Sequence, residues 1–177
     1  MNETKKEFKW FWAWNDEKEE RWLTEMAQQG WHLQAPGVFG VYTFERGAPR
    51  NVVYRLDFKA AGKDMAEYQQ LFADGGWDYL GAMGGWQYFR KESIEGETPE
   101  IYTDNASKMS KYQRVLLFLV ALLPIFMISL YNLRTAGNLD GFLAGFVGGV
   151  SVVGSLFMLF YVYALLRIFR RMLELKK

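Results

Sequence analysis

The sequence predicts an α+β protein: a ferredoxin-like βαββαβ soluble domain with pseudo-twofold halves, followed by a two-helix transmembrane hairpin. Three observations carry this prediction. The Ala-x-x-Gly-Trp pattern of Ala27, Gly30 and Trp31 recurs 46 residues later as Ala73, Gly76 and Trp77. All seven Trp lie before residue 90. Two uncharged apolar runs, 115–133 and 141–166, lie after residue 114. The expected organisation is a cytoplasmic domain over 1–95, a polar linker over 96–113 and a hairpin over 114–172.

Within the domain, Phe8, Trp10 and Trp12 alternate as in a strand and align with Tyr54, Leu56 and Phe58. Asp16 with Glu19 fits a capping box at the start of the first helix. The acidic run 15–20 reads as a solvated first turn that complements the helix dipole. Trp22, Leu23, Met26 and Ala27 then form its apolar stripe. Gly30 ends the helix in the left-handed conformation, and Trp31 folds back near Ala27. Gly40, Val41 and Phe44 mark the second strand, and the turn 46–51 joins it to the third as a hairpin.

The second half repeats this order. Tyr54, Leu56 and Phe58 form the third strand. Asp64 with Glu67 starts a helix whose stripe is Met65, Tyr68 and Phe72. Gly76 and Trp77 close it, and Gly85, Trp86 and Phe89 lie in the last strand. The glycine-rich stretch 81–86 bends the chain into that strand. No helix follows it, so it lacks the amide cluster that cradles phosphate.

Right-handed crossovers place both helices on one face of a four-stranded sheet. Phe8, Trp10, Trp12, Tyr54, Leu56 and Phe58 form the layer beneath them. The opposite face carries Val53 and Lys59, with Lys9, Phe11, Arg55 and Asp57 as a candidate open surface for a ligand.

Each apolar run is long enough to cross a hydrocarbon core of about 30 Å. Lys108, Lys111 and Arg114 precede the first run, whereas Arg167, Arg170, Arg171, Lys176 and Lys177 follow the second. Only Arg134 lies between them, so both termini are expected in the cytoplasm and the protein in the plasma membrane. Neither run contains an ionisable residue, which argues against a pump or an ion path. Pro124 bends the first span. Gly141, Gly145 and Gly149 form a small-residue face for close helix packing.

Residues 1–95 carry 12 Lys+Arg against 15 Asp+Glu, and the remainder 9 against 5. The resulting charge of −3 on the domain argues against nucleic acid as a partner. It also disfavours the aromatic positions as a platform for bases or sugars. The absence of Cys excludes disulfides and thiolate metal sites. A lone His32 makes no zinc site. No nucleophile elbow, P-loop or kinase set is present. No enzyme activity, cofactor or metal is therefore expected. The N-terminus has no apolar h-region, so no cleaved signal peptide is expected.

The stretches FKWFWAWNDEKEERWLTEMAQQGWHL, YRLDF, EYQQLFADGGWDYLG and GWQYFRK resemble the bacterial family called domain of unknown function 2812. The resemblance covers about residues 6–92. Its most specific elements are the paired Gly-Trp turns and the final Trp-x-Tyr-Phe-Arg. It implies a bacterial, Firmicute membrane protein of a kind often encoded beside PadR-type transcriptional regulators. It implies no catalytic residues.

The expected function is a membrane-tethered, non-catalytic interaction or sensing module with a protein partner or self-association. An accessory subunit acting through its transmembrane helices is the alternative. The small ligand, if there is one, is unknown.

Overall fold

The computed structural model describes residues 3–94, 98–135 and 141–176. The chain divides into two compact units, Met1–Lys111 and Tyr112–Lys177.

The first unit contains β1 (Thr4–Phe8), α1 (Asp16–Gln28), β2 (Trp31–Ala35), β3 (Val41–Arg46), β4 (Val52–Phe58), α2 (Met65–Asp74), β5 (Asp78–Met83) and β6 (Trp86–Glu92). A 3-10 turn, Val38–Gly40, precedes β3. The duplication is real, but each half is β-α-β-β. An extra strand begins at Trp31 in the first half and directly after Trp77 in the second. The halves form separate three-stranded antiparallel sheets, β1-β3-β2 and β4-β6-β5. In each, the last strand returns between the other two. Even the irregularity repeats: register shifts fall at Leu33/Ala35 and at Tyr79/Gly81, again 46 residues apart.

This corrects the single four-stranded ferredoxin-like sheet. Two tight reversals make the difference. Gly84 and Gly85 both have positive φ, 57° and 90°, which suits the two-residue hairpin between β5 and β6. Phe39 and Gly40 turn the chain from β2 into β3. Residues 46–51 accordingly join two sheets and do not form the expected hairpin.

The free edge of β4 is occupied by side chains of α1. The Tyr54 N–H donates to Thr24 Oγ1 at 3.4 Å, and the Leu56 N–H donates to Glu20 Oε1 at 2.8 Å. A strand edge whose amides are satisfied in this way offers no template for β3.

The main core comprises Trp22, Leu23, Met26 and Ala27 of α1 with Leu33, Tyr42, Phe44, Val52, Tyr54, Leu56 and Tyr88. A second cluster, Val53, Phe72, Trp77 and Phe89, lies on the opposite face of the second sheet under α2. β4 is thus buried on both faces, and the helices are not on one common face. Asp57 is wholly buried, bonded at 2.8 Å to the hydroxyl of Tyr68 on α2.

The first strand ends at Phe8, four residues before the expected Trp12. Phe8, Trp10 and Trp12 are exposed and form no layer beneath the helices. The expected linker also differs. Ile101 packs on the second cluster, and Lys111 is buried within the first unit.

The Gly-Trp closures behave as expected in their backbone, with φ of 80° at Gly30 and 77° at Gly76. A cation completes each. Arg46 Nη1 donates to Gln29 O at 2.9 Å and stacks over Trp31. Lys91 Nζ donates to Gly75 O at 2.7 Å and lies over Trp77. Each helix C-terminus therefore gains a positive charge at its last carbonyls.

The second unit contains α3 (Asn105–Thr135), whose first residues belong to the first unit, and α4 (Phe142–Leu175). Among the described residues, one helical segment, Val152–Leu175, is long and apolar enough to cross a membrane. The Tyr161 hydroxyl donates to Leu119 O, joining α4 to α3. Residues 136–140 of the expected loop lie outside the described residues.

Candidate functional site

Asp16, Glu19 and Glu20 are spaced i, i+3 and i+4, and Leu23 and Ala27 continue the same face. Helical periodicity therefore carries three carboxyls into the protein with the apolar stripe. All three are buried, whereas Glu17 and Lys18 remain exposed. This corrects the solvated first turn. Neither expected capping box forms, for no side-chain cap bond is present at either helix. Glu19 faces inward, and Asp64 instead pairs with Lys59 at 2.6 Å.

Each buried carboxyl has its own partners. Asp16 Oδ2 accepts from Lys111 Nζ at 2.6 Å, and Lys111 also donates to Leu56 O at 3.3 Å. Glu19 Oε1 accepts from the hydroxyls of Tyr42 and Tyr88, each at 2.6 Å. Glu20 accepts the Leu56 amide and lies 3.7 Å from Arg55 Nη1. Arg55 Nη2 continues to Glu100 at 2.7 Å, and Glu100 to Lys108 at 3.6 Å. The network draws on both halves of the duplication and on the start of α3.

Burial is the main influence on the acids. It raises the Glu19 carboxyl, while the two phenols pull it back and Asp16 adds to the rise. Glu20 is pushed up to about 8 by burial; Lys111 opposes the shift and Asp16 reinforces it. Tyr42 and Tyr88 are likewise held above the ordinary phenol value, first by burial and then by the charge of Glu19.

The candidate open face is therefore dispersed. Asp57 is buried under α2. Arg55 belongs to the acidic network, with its Nε buried and unpartnered among the described residues. Phe11 packs against the main core and Lys9 is exposed. His32 lines a cleft of about 210 Å³ with Arg46, Arg50 and Arg90, and its Nε2 lies 2.8 Å from Ala48 O. Among the described residues, no group of three or more His, Cys, Asp or Glu is arranged to hold a metal. A Cβ built on Gly141, Gly145 or Gly149 meets no described atom within 4 Å.

Sequence reading also missed an aromatic surface. Phe8 is 72% exposed and Phe39 78%, beside half-exposed Trp10 and Trp12. Trp10 and Phe39 line an apolar cavity of about 290 Å³ with Phe11, Tyr42 and Met83. The Trp10, Trp12 and Trp14 rings follow one another at 5.4 and 5.6 Å. The missed signal was the lysine-rich stretch before Phe8, which supplies the strand and leaves the tryptophans beyond its end.

These features define a duplicated α+β domain with a buried acidic network, continuous in sequence with a helix of membrane-spanning length and composition. The chain belongs to the family described as "Protein of unknown function (DUF2812)", whose model matches residues 15–123. No curated protein and no solved structure matches it.

Proposed function

We propose that the chain is a membrane-tethered cytoplasmic interaction or sensing module, regulatory and non-catalytic. The observation that carries this reading is the buried Asp16–Lys111 ion pair. Lys111 lies on α3 four residues before the apolar run 115–133, and Asp16 begins the acidic face of α1. A proton or partner that changes the charge of that face acts on the residue where the route to the apolar helices begins.

The reading is tested by affinity capture from detergent-solubilised membranes with the full chain. A protein or small ligand recovered with the native chain and diminished with Asp16→Asn supports it. Recovery equal to an anchor-only control removes it.

The proposed topology is two-pass, with both termini cytoplasmic. Its support is the cation distribution around runs 115–133 and 141–166. The chain has no native Cys, so single cysteines at Asn138 and Ser93 report the two sides. Labelling of position 138 from outside and of 93 from inside is expected; the reverse overturns the orientation.

An accessory subunit of a larger membrane complex is the second reading. The observation favouring it is that no described atom lies within 4 Å of a Cβ built on Gly145 or Gly149. Loss of a complex in Gly145→Leu, Gly149→Leu, with the first unit still folded, favours this reading.

A further inference from the structure

The aromatic surface is held in place by specific backbone features. The Lys9 N–H donates to Gly40 O at 2.8 Å, which fastens the end of β1 beside the turn carrying Phe39. A Cβ on Gly40 would meet Lys9 O at 2.9 Å and the Phe8 ring at 3.4 Å. Phe8 pairs with Val41 across β1 and β3, and Val41 is also exposed. Phe8, Val41, Phe39 and Trp10 therefore form one continuous outer surface, extended by Trp12.

Phe39 has φ 54° and ψ 39°, the left-handed region that a side chain disfavours by about 1–2 kcal/mol. Its ring is largely in water, so packing within the chain does not offset that strain. Strained residues presenting a side chain outward are characteristic of binding surfaces. Lys6 is exposed beside Phe8 on the outer face of β1, and Lys9 is exposed with its Nζ over the Trp22 and Phe11 rings at 4.7 and 5.7 Å.

We propose that Phe8, Trp10, Trp12 and Phe39 form a bilayer-contact surface that seats the first unit on an anionic membrane. Tryptophan and phenylalanine flanked by lysine suit the headgroup region, where rings reach the acyl boundary and ammonium groups meet lipid phosphates. Lys6 and Lys9 place two exposed cations at the apolar patch of a domain that is net negative, and those cations complement anionic lipid. The tether favours the same occupant. The first unit extends to Lys111, four residues before the apolar run 115–133. A domain so tethered meets the bilayer at high effective concentration.

This inference rests on the membrane-anchored reading, and the test separates the two. The full chain is reconstituted into phosphatidylcholine–phosphatidylglycerol vesicles with single spin labels at Val41→Cys, Glu67→Cys or Phe157→Cys. Position 41 lies within the patch and spares all four aromatics, 67 is exposed on α2, and 157 lies in the apolar segment of α4.

Oxygen is expected to relax the labels at 41 and 157 more than a water-soluble nickel chelate does, with the order reversed at 67. Lys6→Glu, Lys9→Glu should bring the oxygen-to-nickel ratio at 41 down to that at 67. A ratio at 41 equal to that at 67 in the native background, with 157 in lipid, overturns the contact surface alone. A label at 41 shielded from both reagents means a protein covers the patch and also overturns it. A label at 157 in water overturns both readings.

Discussion

Lys111 Nζ lies 2.6 Å from Asp16 Oδ2, and both side chains are almost wholly withdrawn from water. Taking one partner from such a pair leaves an uncompensated buried charge, which costs about 3–5 kcal/mol. Lys111→Ala should therefore lower unfolding stability by about that much. Asp16→Asn with Lys111→Met should recover a large part of it, because no charge is then stranded. Denaturant melts of the detergent-solubilised single and double variants measure the coupling. Additive losses would show that the pair is not a unit.

The acidic face predicts a pH dependence with a definite sign. A carboxyl whose folded pKa exceeds its unfolded value holds its proton more tightly in the folded state. Glu20 is raised from 4.5 to about 8, and Glu19 is raised as well. The contribution of Glu20 is complete below about pH 4.5 and is lost as pH rises through about 8, and Glu19 acts in the same direction. The Tm should fall between pH 5 and pH 8.5, and Glu20→Gln should flatten that slope. A Tm that rises over this interval in both proteins contradicts the assignment.

The two Gly-Trp closures share a backbone conformation and differ in their surroundings. A Cβ on Gly30 would meet Gly47 O at 2.6 Å, whereas on Gly76 its nearest contact is Lys91 Cε at 3.6 Å. Both Ala substitutions carry the left-handed penalty of about 1–2 kcal/mol. Gly30→Ala should cost more, because a backbone carbonyl must also move. Equal losses in urea titrations would mean that the 46–51 segment yields freely.

Phe39 offers the complementary experiment. Asn tolerates its φ of 54° better than an aromatic residue does. Phe39→Asn should leave the Tm unchanged or raise it slightly, while reducing the lipid accessibility of a label at position 41. A large loss of stability would make Phe39 a packing residue instead.

Much of the local chemistry was legible along the chain. Gly30 and Gly76 adopt positive φ where the pattern placed them, the two helices occupy the expected stretches, and the 46-residue repeat extends to matching register shifts. The acidic face was legible too, since 16, 19, 20, 23 and 27 share one side of a helix. Acidic residues in a first turn also satisfy the helix dipole, and that competing explanation concealed the periodicity.

Sequence alone determined where helices end, where the duplication lies and which segments are long and apolar, because each depends on residues within a few positions of one another. Tertiary structure alone decided that β4 pairs with β6, that α1 side chains close its other edge, and that the two helices cover different surfaces. It also turned Asp57 inward and Trp10 and Trp12 outward. Alternation specifies that a strand has two faces, but which face is buried depends on the elements that cover it. Those elements are distant in sequence, and their competition for one strand edge is resolved only when the chain is folded.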